Sequence, residues 1–175
     1  DLPCMDNDKL RRGKLSTHIK FGESTAVLAG NSLLTMAFEI LTNSSLKINE
    51  KIIVDLVKKL SESSGHLGKA GGQYLDLSFK KKKVSKSKII DMEIKKTGKL
   101  FGFCGAVPTI IKRKNDKQIK FFENIGSNIG LLFQIADDLI DFKGSTAIAG
   151  KITGKDKKKG KATLISLLGY QNAIK

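Results

Sequence analysis

At 175 residues the chain is long enough for one domain with a hydrophobic core, and its net charge of +15 makes it strongly basic. Only Arg11, Arg12 and Arg113 among its 32 basic residues are arginines, and aromatics are 6% of the sequence; the charge therefore reads as lysine on solvated helix faces, not as a nucleic-acid platform. Cys4 and Cys104 form neither a disulfide framework nor a metal spacing, which points to a reducing, cytoplasmic setting. No signal peptide is expected at the start. No apolar run is expected to approach the ~20 residues that cross a bilayer, so no stable membrane insertion is expected.

In chain order, residues 1–13 are polar, with Asp1, Asp6 and Asp8 followed directly by Arg11-Arg12-Gly13. Residues 22–42 are small and apolar at helical spacing, which predicts a buried helix. Residues 47–64 carry Ile52, Ile53, Leu56, Val57 and Leu60 with lysines opposite, an amphipathic helix. The glycines at 65, 68, 71 and 72 suit either a loop or a helix packed very closely on a neighbour or ligand. A polar connection over 80–88 leads to predicted helices at 88–112, 116–143 and 160–173, with a Gly/Lys loop over 144–160. No alternating strand pattern is evident, so the expected class is all-α. The chain opens at Asp1 without Met and stops inside a helical pattern, so residues 1–175 are read as part of one domain cut at both ends.

The chemistry concentrates in Gln134-Ile135-Ala136-Asp137-Asp138-Leu139-Ile140-Asp141. A helix advances about 100° per residue, so Asp137 and Asp141 share a face and Asp138 lies beside them. Apolar neighbours such as Leu132, Phe133, Ile140 and Phe142 are expected to be buried. Acids on a half-buried surface repel one another and lose hydration, so they need cations. Oxygen-only donors favour a hard ion such as Mg²⁺ shared with phosphate. Taken with Asp1, Asp6 and Asp8, this gives two acidic clusters facing one another across a helical bundle. Arg11 and Arg12 offer planar forks for phosphate, and Lys96-Thr97, Lys151, Lys155 and Lys161 add cations and a hydroxyl. Neither His18 nor His66 belongs to a nucleophilic constellation.

These motifs resemble those of the trans-isoprenyl diphosphate synthases, the polyprenyl synthetase family, and most closely its bacterial farnesyl diphosphate synthase group. Asp1-Leu2-Pro3-Cys4-Met5-Asp6 resembles the first aspartate-rich motif from its second acid onward, and Leu10-Arg11-Arg12-Gly13 its continuation. Thr17-His18, Ala29-Gly30, Gly71-Gly72-Gln73, Asp76, Lys96-Thr97-Gly98 and Phe133-Gln134 follow in register. Asp137-Asp138-x-x-Asp141, Gly150-Lys151, Gly154-x-Asp156 and Gly160-Lys161 complete the series. The leading acid of the first motif would precede Asp1. Asn7 and Lys9 stand where acids are common, Asn31 replaces a frequent Asp, and Leu15 replaces the usual Pro.

The resemblance implies a partial isoprenoid-synthase helical bundle around a diphosphate/Mg²⁺ cavity. The activity implied is a geranyltranstransferase, joining isopentenyl diphosphate to an allylic diphosphate, with farnesyl diphosphate as product. Asp1, Asp6, Asp137 and Asp141 would be ligands to three Mg²⁺ ions, with Mn²⁺ as a substitute, and Asp138 would orient bound water. Arg11, Lys96, Thr97, Gln134, Lys151 and Lys161 would hold the allylic diphosphate, with Arg11, Lys96, Gln134, Asp137 and Asp138 at the reacting centre. Arg12 and His18 would serve isopentenyl diphosphate, and Phe133 with apolar residues of 100–111 would wall the prenyl tail. Homodimerisation is expected on the same ground. Two alternatives are a non-catalytic partner subunit, motivated by Asn7 and Lys9, and a terpenoid enzyme that ionises its substrate without elongation.

Overall fold

The computed structural model describes residues 1–143, 154 and 160–174. The expected Gly/Lys loop, including Lys151 and Lys155, falls mostly outside them. After an extended start come two short strands, β1 (Leu10–Arg11) and β2 (Lys14–Leu15), then α1 (Thr17–Phe21) and α2 (Glu23–Leu41). A 3₁₀ turn at Ser44–Leu46 leads to α3 (Glu50–Ser64), α4 (Lys69–Ser78) and α5 (Lys86–Glu93). A π turn, Ile94–Gly98, joins α5 to α6 (Lys99–Ile111) without a break. The long α7 (Asp116–Lys143) and the short α8 (Leu164–Leu168) and α9 (Tyr170–Ile174) complete the described elements. The last two replace the single helix expected over 160–173, because Gly169 interrupts it at φ 76°.

Among the described residues the hairpin is the one departure from an all-helical reading. Leu10 pairs with Leu15 and Arg11 with Lys14, leaving Arg12 and Gly13 as the connecting pair. Both have positive φ (52° and 74°), which is the backbone of a type I′ turn. A two-residue turn of this kind leaves no alternating strand for sequence periodicity to reveal.

Two small apolar clusters hold the helices. Ile52 and Leu56 of α3 pack on Ala106 and Ile110 of α6, with Ile119 of α7 beside them. Ile89 and Met92 of α5 meet Ala162 and Leu164, with Leu75 and Ile135 at the edge. Helices α6 and α7 approach closely because Gly126 stands where any side chain would run into the Phe101 carbonyl. The Lys59–Glu123 ion pair, 2.8 Å, ties α3 to α7.

Helix α2 contradicts the expectation of a buried helix: none of its residues is buried. Its apolar residues Leu33, Leu34 and Ala37 instead form one wall of a large cleft, and Val27, Leu28 and Ile40 are exposed. By length (19 residues) and composition α2 is long and apolar enough to cross a membrane, which also corrects the reading that no such run exists. Periodicity identified the helix but not the surface it would meet.

The glycine-dense stretch turns out to contain both expected forms. Gly65–Gly68 makes a turn, whereas Gly71 and Gly72 lie inside α4. A Cβ on Gly72 would strike the backbone of Lys95 and Lys96, so glycine here sets the distance between α4 and the π turn. Gly72→Ala is therefore expected to lower stability by about 2 kcal/mol and to displace Lys96. Denaturant unfolding of the full-length protein measures this, and an unchanged midpoint would refute it.

Candidate active site

A cleft of about 1090 Å³ runs between the N-terminal segment and α7. One wall carries Asp1, Asp6, Asp8, Arg11 and Arg12. The hairpin explains the placement of the arginines, because its two-residue turn puts Arg12 at the tip and Arg11 on the adjoining strand. Among the described residues neither guanidinium has an ion-pair partner, so both retain their forks for an anion. A non-glycine residue held at positive φ costs on the order of 1 kcal/mol, a strain often retained at binding sites.

The opposite wall is α7, which presents Gln134, Asp137, Asp138 and Asp141 at successive helical turns. This helix reverses the expected pattern. Asp138 and Asp141 are 6% and 5% exposed, whereas Leu132, Phe133, Ile140 and Phe142 are 44% to 65% exposed. Both acids line the cleft, while much of the apolar side is exposed and Phe142 stacks on Tyr170 at 5.7 Å. Asp138 accepts a hydrogen bond from Gln134 Nε2 at 2.9 Å, and Gln134 Oε1 accepts from Thr97 Oγ1 at 2.9 Å. Phe133 stacks against Phe101 at 5.7 Å and, with Leu100, supplies apolar lining beside these polar groups.

The floor is the π turn. Lys99 N–H bonds the Ile94 carbonyl five residues back, and the widened coil brings both Lys96 and Thr97 to the cleft. Lys96 Nζ donates to Asp76 Oδ2 of α4 at 2.6 Å. Lys161 lies 3.1 Å from Asp6 Oδ1, placing a cation against the first acidic cluster. The structure thus brings together all the described residues expected in the site except His18. That side chain is buried, its Nδ1 3.2 Å from Ser16 Oγ, and it does not line the cleft. Lys151 lies outside the described residues.

A family model described as Polyprenyl synthetase matches residues 1–175. The chain belongs to the polyprenyl synthetase family. It is 43% identical over 171 residues to the farnesyl diphosphate synthase of Micrococcus luteus, covering 98% of this chain and 58% of that protein. The farnesyl diphosphate synthase of Bacillus subtilis is 39% identical over 174 residues, at 99% and 59% coverage. A solved structure of the Helicobacter pylori geranyltransferase, complexed with magnesium and isoprenyl diphosphate, superposes with a TM-score of 0.89 at 35% identity. It covers 99% of this chain and 56% of its own. The chain therefore spans a little over half the length of these relatives.

Two cleft residues carry no role in the sequence reading. Asp76 sits one turn after Gly72, buried at 4% exposure, and anchors Lys96. Glu93 lies three residues before Lys96 and is 2% exposed, with no side chain hydrogen-bonded to either carboxylate oxygen. Burial above all, then the charge of Asp138, pushes its pKa from 4.5 up to about 8; Asp76 adds to the rise, while Lys96 and the Leu164 backbone oppose it. The i, i+3 spacing of Glu93 and Lys96 was the available signal, and it is common on any lysine-rich helix.

Proposed function

We propose that the full-length protein carrying this chain is a prenyltransferase. It joins isopentenyl diphosphate head-to-tail to an allylic diphosphate, dimethylallyl or geranyl, with farnesyl diphosphate as product. The observation that supports this reading most is a single cleft whose opposed walls both bear acids, with Arg11, Arg12 and Lys96 around it. The names of the Micrococcus and Bacillus relatives agree with it.

The donor set suits Mg²⁺. Among the described residues no three acids converge into a ready-made cation cage. Mg²⁺ commonly takes one or two carboxylates and completes its shell with water and phosphate oxygens, so acids on facing walls fit an ion shared with a diphosphate. Asp1 and Asp6 would hold it on one wall and Asp137 and Asp141 on the other. When bound, the metal supplies the positive charge that stabilises diphosphate as a leaving group.

This chain's own residues do the rest. Arg11, Lys96, Thr97 and Lys161 bind and orient the allylic diphosphate, and Gln134 holds Asp138 in place. Breaking the allylic C–O bond sends its electron pair to the diphosphate and leaves an allylic cation. The double bond of isopentenyl diphosphate, held by Arg12, attacks that cation; loss of a proton from the product cation then gives a chain five carbons longer. Phe133 and Leu100 keep water from the cation, which water would quench. Homodimerisation and a cytoplasmic location belong to the same proposal.

Incorporation of labelled isopentenyl diphosphate into a longer product by the full-length protein tests the reaction; diphosphate release without elongation would overturn it. Arg12→Ala is expected to raise KM for isopentenyl diphosphate about tenfold while shifting that for the allylic substrate less than about twofold. Equal losses for both substrates would count against the assignment.

A further inference from the structure

Glu93 ends α5 where the π turn begins, and it faces the cleft between two hydrogen-bonded limbs. One limb is Asp76–Lys96, at 2.6 Å. The other runs Thr97–Gln134–Asp138, with both bonds at 2.9 Å. Among the described residues three charged side chains act on Glu93: Asp76 from α4, Lys96 from the π turn and Asp138 from α7. The Ala162–Leu164 segment packed nearby brings only apolar, hydroxyl and backbone groups. An acid at 2% exposure with no side-chain partner on either oxygen is rare in a folded protein.

A carboxylate at this position would add a negative charge beside those of Asp76 and Asp138, out of water. A carboxylic acid would add no charge and would gain an O–H to donate. Asp138 lines the same cleft, is itself buried at 6% exposure and exerts the strongest charge effect on Glu93, so its carboxylate is the natural acceptor.

We propose that Glu93 is a positioning residue that works as a neutral carboxylic acid, donating to Asp138 and linking the Lys96 limb to the Asp138 limb. Its neutrality leaves the Lys96 ammonium available for a phosphate oxygen beyond its bond to Asp76. The upward displacement of its pKa agrees with this role. The proposal rests on the reaction above only for what the two limbs serve.

Two measurements on the full-length protein test it. Infrared spectra of protein carrying ¹³C-carboxyl glutamate should show a protonated buried carboxyl near neutral pH. That band should be absent in Glu93→Gln and should give way to carboxylate as pH passes about 8. Calorimetric binding of inorganic diphosphate with Mg²⁺ present should change by less than about threefold in Glu93→Gln. It should weaken about tenfold in Glu93→Leu, which keeps the bulk but loses the hydrogen bond. A wild-type protein lacking the band near neutral pH, or a leucine variant that binds as well as the glutamine variant, overturns the proposal. Failure to elongate a prenyl chain would strike the proposed reaction alone, since neither readout depends on turnover.

Discussion

Replacing Asp137 by alanine in the full-length protein is expected to lower kcat for prenyl transfer by about 10³-fold, with the fold retained. Asp137 stands on the cleft side of α7, one turn from Asp141, and is only partly buried. Its loss removes negative charge where a diphosphate-bridging cation would sit, and alanine is the best helix former. The effect should therefore fall mainly on catalysis. Asp138→Ala supplies the contrast. That side chain is buried and accepts from Gln134, so its removal empties a buried site, leaves a part-buried amide without this acceptor and should lower stability more. Steady-state kinetics beside thermal melts separates the two. A fall of less than about tenfold for Asp137→Ala would remove α7 from the reacting centre.

Stability is expected to fall as pH rises from about 4.5 to about 8, and Glu93 is the cause. Below 4.5 the folded and unfolded chains both hold this proton. Between the two values only the folded chain keeps it, so deprotonation favours the unfolded state progressively. Above about 8 the penalty is complete. The size is on the order of a few kcal/mol, large against the total stability of a domain. Glu93→Gln mimics the protonated acid and should abolish this part of the slope. Urea unfolding of both proteins across the window tests it, and parallel curves would refute the assignment.

The contrast between α7 and α2 shows how much of this molecule was legible in its residues. The extent of α7 matched the periodic segment at 116–143, and the common face of Asp137 and Asp141 follows from 3.6 residues per turn. The hairpin that presents Arg12 escaped notice because a two-residue turn has no periodicity. The apolar sides of α2 and α7 read as core, yet Leu33, Leu34 and Ala37 of α2 line the cleft and Leu132 and Ile140 of α7 are exposed. His18 stood in register with the arginines and still turned away, buried beside Ser16.

By itself the sequence determined the chemical inventory. Acids come in two clusters, arginine is scarce and placed beside the first of them, and lysine with threonine precedes a glycine that a helix can widen around. Those features depend on residue type and spacing along one element, which local geometry fixes. Only the tertiary structure decided what each face meets: that Gly72 lets α4 reach Lys96, that Asp76 anchors that lysine, and that Glu93 lies within the fields of Asp76, Lys96 and Asp138. Desolvation and charge coupling arise between elements far apart in sequence, so no pattern along the chain could have carried them.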